Sequence, residues 1–144
     1  MQTILPDAEF LLVDDDPSIS EFLAAYLSER GHPSNAAIEA EKAVDWLSEN
    51  RCEVVVVDLD LPNANGTSLI ASLRAVDARL PIVVFTENSS NEAQLRAAMR
   101  AGANGYVSKN LPMEQLYCVL ARVLAAARYN ARRIRLQREL LGAA

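Results

Sequence analysis

Three short runs of apolar residues stand out along the chain: Phe10-Leu11-Leu12-Val13, Val54-Val55-Val56-Val57 and Ile82-Val83-Val84-Phe85. They are rich in β-branched side chains and do not alternate with polar ones, the pattern of strands buried on both faces. Between them, apolar positions recur at helical spacing. Asp16-Pro17 predicts a helix start, a capping carboxylate followed by proline at the first helical position. This helix is expected to bury Ile19, Phe22, Leu23, Tyr26 and Leu27 and to stop at Gly31. A weaker strand is predicted from Ser34 to Ile38, then a helix from Ala40 to Glu49 with Ala43, Val44 and Leu47 facing inward. Gly66 opens a helix that buries Leu69, Ile70 and Leu73, and Asn91 caps another that runs to Arg100 with Gly102 beyond. A short strand, Gly105-Tyr106-Val107, and a long helix from Pro112 complete the series. Five strands alternating with five helices predict an α/β fold: a doubly wound five-stranded parallel sheet with helices on both faces and a long C-terminal helix.

Composition narrows the class. With 51% hydrophobic residues among 144, wholesale disorder is excluded. No apolar run approaches the roughly 18 to 20 residues that span a bilayer. Met1 to Phe10 lacks a cationic start and a long apolar stretch, so it does not read as an export signal. Cys52 and Cys118 are too few and too far apart for a disulfide framework or a thiolate metal site, and they read as inert buried thiols. A cytoplasmic, reduced protein without membrane contact is expected. The organisation read from the chain is one domain over residues 8–127 and a basic helical extension over 128–144.

Charge separates these two parts. From residue 122 onward six arginines (122, 128, 132, 133, 135 and 138) face Glu139 alone, a segment of +5 in a chain of −5, so residues 1–121 carry −10. An acidic body repels nucleic acid phosphates, and no direct nucleic acid contact is expected of this chain.

In a doubly wound sheet, ligands bind outside the carboxyl ends of the strands. There the sequence sets Asp14-Asp15-Asp16 after the first strand and Asp58-Leu59-Asp60 after the third. Thr86-Glu87 ends the fourth, and Ser108-Lys109-Asn110 ends the fifth. Asp14, Asp15 and Asp58 packed together would raise one another's pKa unless a cation joined them. Oxygen ligands without His or Cys suit a hard ion, most simply Mg²⁺. A metal, a lysine and a hydroxyl around one carboxylate are arranged to neutralise phosphoryl oxygens while that carboxylate attacks phosphorus. Asp58, centrally placed, is the expected nucleophile.

These segments, Leu12-Val13-Asp14-Asp15-Asp16-Pro17, Val57-Asp58-Leu59-Asp60-Leu61-Pro62 with Gly66, Thr86, and Gly105-Tyr106-Val107-Ser108-Lys109, resemble the receiver domain of two-component response regulators from Phe10 to Ala127. The resemblance implies a flavodoxin-like fold of receiver type, with Asp58 as phosphoacceptor and Asp14 and Asp15 as the acidic pair that holds Mg²⁺. It implies that Asp60 offers a backbone carbonyl to the metal, that Thr86 follows the phosphoryl group and that Lys109 pairs with a phosphoryl oxygen. Tyr106 matches the aromatic that changes rotamer and alters the face made by the fourth helix, fifth strand and fifth helix, although simple strand packing would also place it. The implied donor is a phosphohistidine on a sensor histidine kinase or a histidine phosphotransfer protein. The chain is then a signalling domain and not an enzyme in the ordinary sense.

Two positions depart from the family pattern. Glu87 stands where a small residue is usual, which predicts altered dephosphorylation or partner access. Asn110 replaces a proline that is often cis; a cis bond before any other residue costs about 3–4 kcal/mol, so a trans peptide is expected. His32, in a Gly-His-Pro turn, reads as a solvated loop residue, and Trp46 as core or helix-surface packing.

In the C-terminal helix, Leu120, Leu124, Ala127, Ala131, Ile134 and Leu141 recur at spacings of four and three, with Arg138 interrupting. That is a coiled-coil seam on which a homodimer could form. A solvated basic helix, or one docked on its own acidic body, fits the same residues. The rival chemistry is a haloacid-dehalogenase-like phosphatase using Asp58 as nucleophile and Asp60 as general acid, but such enzymes place that motif first in the chain.

Overall fold

The computed structural model describes residues 8–61, 64–87 and 91–142. Pro62 of the motif above and most of the segment weighed as an export signal lie outside them. The elements are β1 (Phe10–Val13), α1 (Pro17–Ser28), β2 (Ser34–Ala37), α2 (Ala40–Glu49), β3 (Val54–Val57), β4 (Asp60–Leu61), β5 (Ala64–Asn65), α3 (Gly66–Val76), β6 (Ile82–Thr86), α4 (Glu92–Ala101), β7 (Gly105–Ser108) and α5 (Met113–Leu140). Five strands form one parallel sheet in the order β2-β1-β3-β6-β7. This is the flavodoxin-like order, and it reverses direction between β1 and β3. The antiparallel pair β4-β5 was not foreseen; two-residue strands carry no periodicity to read.

The unbroken apolar runs are explained by the two faces they serve. Leu11, Val13, Val55, Val57, Ile82 and Val84 pack with α2, α3 and α4, through residues such as Leu47, Ile70 and Leu95. Phe10, Leu12, Val54, Val56, Val83 and Phe85 pack on the opposite face with Leu23 and Leu27 of α1 and Leu116 and Leu120 of α5. The predicted caps are present. Asp16 accepts from the Ser18 N–H at the start of α1, and Asn91 accepts from the Gln94 N–H at the start of α4. Among the described residues no helix is long and apolar enough to cross a membrane.

Three burial expectations are corrected. Phe22 is 62% exposed, because Leu23 and Leu27 take the inner line of α1 and Phe22 lies about 100° and 140° around the helix from them. Cys118 is exposed, since its neighbours Leu116 and Tyr117 take the inward positions on α5, whereas Cys52 is half-buried and burial pushes its thiol up to about 12.

His32 is not solvated but buried. The left-handed Gly31 (φ 81°) turns the chain so that the imidazole enters between α1 and α5. There Nε2 lies 2.9 Å from the Tyr117 hydroxyl and the ring stacks obliquely on Phe10. Burial lowers its pKa below the ordinary 6.5. The native protein therefore keeps His32 neutral where the unfolded chain takes up a proton, so stability must fall as pH drops below about 6.5. Urea denaturation at pH 7.5 and 5.5 should show a loss approaching 1.4 kcal/mol per pH unit at most. His32→Gln should flatten that slope; an unchanged slope would refute the assignment.

Candidate functional site

The ends of β1, β3, β6 and β7 lie on one rim, and hydrogen bonds that continue the sheet hold the residues following them. The Asp14 N–H donates to the Ala37 carbonyl (3.1 Å) and the Asp58 N–H to the Val13 carbonyl (2.9 Å). The Lys109 N–H donates to the Thr86 carbonyl (3.0 Å). Because Val13 pairs with Val57, the next residues, Asp14 and Asp58, emerge side by side at the topological switch point.

The side chains converge there. Lys109 Nζ donates to Asp14 Oδ2 (2.6 Å) and Asp58 Oδ2 (3.0 Å), and all three side chains are over nine-tenths buried. The other carboxylate oxygens are held by backbone: Asp14 Oδ1 accepts from the Asp16 N–H (2.9 Å) and Asp58 Oδ1 from the Asp60 N–H (3.2 Å). Burial raises the Asp14 pKa against the opposing pull of Lys109 and the Asp16 N–H. Burial also works against the Lys109 ammonium, but its bonds to Asp14 and Asp58 outweigh this and raise its pKa, so it stays charged.

Exposed Asp15 completes the cluster: carboxylate oxygens of Asp14, Asp15 and Asp58 lie within 4.8 Å of one another and could hold a metal ion. The donors are all oxygen, which fits a hard divalent cation such as Mg²⁺. Thr86 is 1% exposed and its hydroxyl has no hydrogen-bond partner among the described residues. A buried hydroxyl left unpaired is costly, so this one is free to bond a group that enters the site.

The remaining predicted residues stand apart from this core. Asp60 is exposed and touches Asp58 through its backbone N–H. Tyr106 is 51% exposed, beside Arg96, Met99 and Arg100 of α4 and away from the carboxylates. Glu87 is exposed next to Thr86. No peptide among the described residues is cis, so Asn110 follows Lys109 through a trans bond as expected.

One residue escaped the sequence reading, and a second has a larger part than it was given. Ser20 is buried, its hydroxyl unpaired among the described residues, and it lines a small cavity with Asp14, Asp58 and Phe85. The available signal was a small polar residue on the otherwise apolar 20-23-27 line of α1. Gly66 does more than open α3: a Cβ there would lie 2.6 Å from Leu59 Cα and 2.9 Å from its carbonyl oxygen. Gly66→Ala must push back the backbone next to Asp58. We expect it to cost about 1–3 kcal/mol by chemical denaturation, the usual range for overpacking, and to weaken binding of Mg²⁺ titrated against the intrinsic fluorescence.

The sequence profile of the response regulator receiver domain matches residues 10–121. The chain is 34% identical over 121 residues to the transcriptional regulatory protein PhoP of Escherichia coli O157:H7, covering 84% of this chain and 52% of that protein. It is 33% identical over the same length to the virulence transcriptional regulatory protein PhoP of Salmonella typhimurium strain LT2, with the same coverage. The chain thus spans about half the length of these curated relatives. Among solved structures it resembles NtrX from Brucella abortus (TM-score 0.84, 25% identity, 90% of this chain and 29% of that one). It also shares its fold with a CheY-like receiver domain protein from Methanospirillum hungatei JF-1 (TM-score 0.81, 21% identity, 86% and 98%).

Proposed function

The chain belongs to the response regulator receiver domain family, and on that premise we propose that Asp58 accepts a phosphoryl group from a phosphohistidine in a Mg²⁺-dependent reaction. The observation that carries this reading is the buried bridge from Lys109 to both Asp14 and Asp58, with the unpaired Thr86 hydroxyl nearby at the end of β6. The receiver unit is residues 8–127 and the extension 128–144. The donor is a sensor histidine kinase or a histidine phosphotransfer protein, encountered in the cytoplasm.

Asp58 supplies the nucleophile: a carboxylate oxygen forms the new bond to phosphorus as the P–N bond breaks, and the leaving imidazole takes the electron pair and is protonated. Lys109, held charged, exchanges its bond to Asp58 for one to a phosphoryl oxygen. Thr86 donates its hydroxyl to another, which satisfies a group otherwise left orphaned. Asp14, Asp15, Asp58 and the Asp60 carbonyl would hold Mg²⁺, which would supply charge neutralisation for the phosphoryl oxygens. Movement of Thr86 toward the phosphate lets the exposed Tyr106 ring turn inward and reshapes the face of α4, β7 and α5, a shift of populations driven by differential contacts. The phosphatase reading is disfavoured, because Asp60 meets Asp58 through its backbone N–H.

The test is incubation with acetyl phosphate and Mg²⁺ followed by intact-mass measurement. One hydroxylamine-labile phosphoryl adduct is expected, absent when the cation is chelated. No adduct in the presence of Mg²⁺ would overturn the proposal.

A further inference from the structure

At the amino-terminal edge of the sheet, opposite to Asp58, α5 and the loop entering β6 enclose a groove. Its α5 side presents Ala127, Ala131 and Ile134 of the apolar seam, and arginines 79, 122 and 133 line it; no acidic residue does. The groove wall is braced from within. Arg74 spends its guanidinium on the carbonyls of Leu80 (2.5 Å), Ala78 (3.2 Å) and Gly102 (2.5 Å), which ties the loop before β6 to the loop before β7. From Arg122 to Ile134 the helix offers about 18 Å of contact length, three turns.

A seam of this kind is covered by a helix, and the flanking charges decide which one. From Arg122 to Arg138 the helix carries six arginines and no acid, and Arg122 and Arg133 of these face the groove. Of the arginines in the groove and along α5 beside it, Arg128 pairs with Glu53 at 2.5 Å, and among the described residues Arg79, Arg122, Arg133, Arg135 and Arg138 have no ion pair. A second copy laid along the seam would set arginine against arginine or amide, with no acid to receive them. Two copies therefore repel where an acidic helix is attracted.

We infer that this groove is a docking site for an acidic amphipathic helix of another protein, with leucine or alanine along its apolar stripe and glutamate or aspartate on both flanks. The site is remote from Asp58 and does not depend on phosphoryl transfer.

The probe is a synthetic helical peptide of three heptads with a leucine seam and flanking glutamates, followed by fluorescence anisotropy at about 0.15 M salt. Arg133→Glu, inside the groove, should weaken binding about tenfold, more than one favourable charge contact being lost. Arg132→Glu, on the opposite side of α5, makes the same change in net charge and should leave affinity within about twofold. Ala131→Trp fills the groove without changing charge and should also abolish binding. The proposal fails if both glutamate variants weaken binding equally, if Ala131→Trp binds as well as the wild type, or if a DNA duplex binds with the same dependence on these variants. It fails too if light scattering finds a dimer without peptide that Ala131→Trp dissociates, since the occupant is then a second copy.

Discussion

Exchange of Asp58 for asparagine should abolish covalent phosphorylation by acetyl phosphate and leave the fold in place. The amide has no carboxylate oxygen with which to attack phosphorus, so the loss is complete and not graded. The side chain has the same shape, and its carbonyl oxygen can still accept from the Asp60 N–H or from Lys109, whose other carboxylate, Asp14, is untouched. Mass spectrometry should therefore record no adduct while the thermal transition remains cooperative and close to that of the parent. An adduct that persists in Asp58→Asn would place the acceptor elsewhere and remove the basis of the functional proposal.

The largest effect on stability is expected from Lys109→Met. The ammonium is the cation that joins Asp14 and Asp58, all three side chains being nearly sealed from solvent. Methionine fills much of the volume but leaves two buried carboxylates facing each other, and removing one partner of a buried ionic cluster costs about 3–5 kcal/mol. Two dependences identify this cause. Mg²⁺ should stabilise the variant more than the wild type, because binding to the folded state alone adds stability and the variant has lost its own cation. The deficit should also shrink as pH is lowered toward 4. The folded pKa of Asp14 already lies above the ordinary 3.8 through burial, and without Lys109 it rises further. A group raised on folding contributes stability that is fully present below its unfolded pKa and lost as pH rises through the folded value. Denaturant titrations at pH 7.5 and 4.5, with and without Mg²⁺, would reveal both trends; a deficit constant across all four conditions would point to lost packing instead.

Much of the architecture is legible in one dimension because it rests on local free energies. A run such as Val54 to Val57 can satisfy four consecutive apolar residues only if both faces are covered, and the structure covers both. Asp16 before Pro17 and Asn91 before Glu92 start helices because their side chains accept N–H groups that a first turn leaves free. Where local rules compete, they mislead. His32 follows a glycine and precedes a proline, the signature of a turn, and the turn is real, yet it delivers the imidazole into the interior beside Tyr117. Phe22 and Cys118 have the chemistry of core residues and face outward, since a helix has room for one inner line and Leu23, Leu27, Leu116 and Leu120 occupy it.

Taken alone, the chain specified the five strands of the parallel sheet, the five helices, and an inventory of acids, a hydroxyl and an amine at strand ends. Each of those follows from how a residue and its near neighbours meet water and backbone. Tertiary structure decided which members of that inventory touch. Asp14 and Lys109 are 95 positions apart and form a 2.6 Å bond because β1 and β3 pair in register and the strand order brings β7 to the same rim. It also brought Gly66 against Leu59, paired Arg128 with Glu53 and sealed the Thr86 hydroxyl. Such contacts depend on strand register and on the path of the chain between elements, and a pattern with a period of two or 3.6 residues carries no record of either.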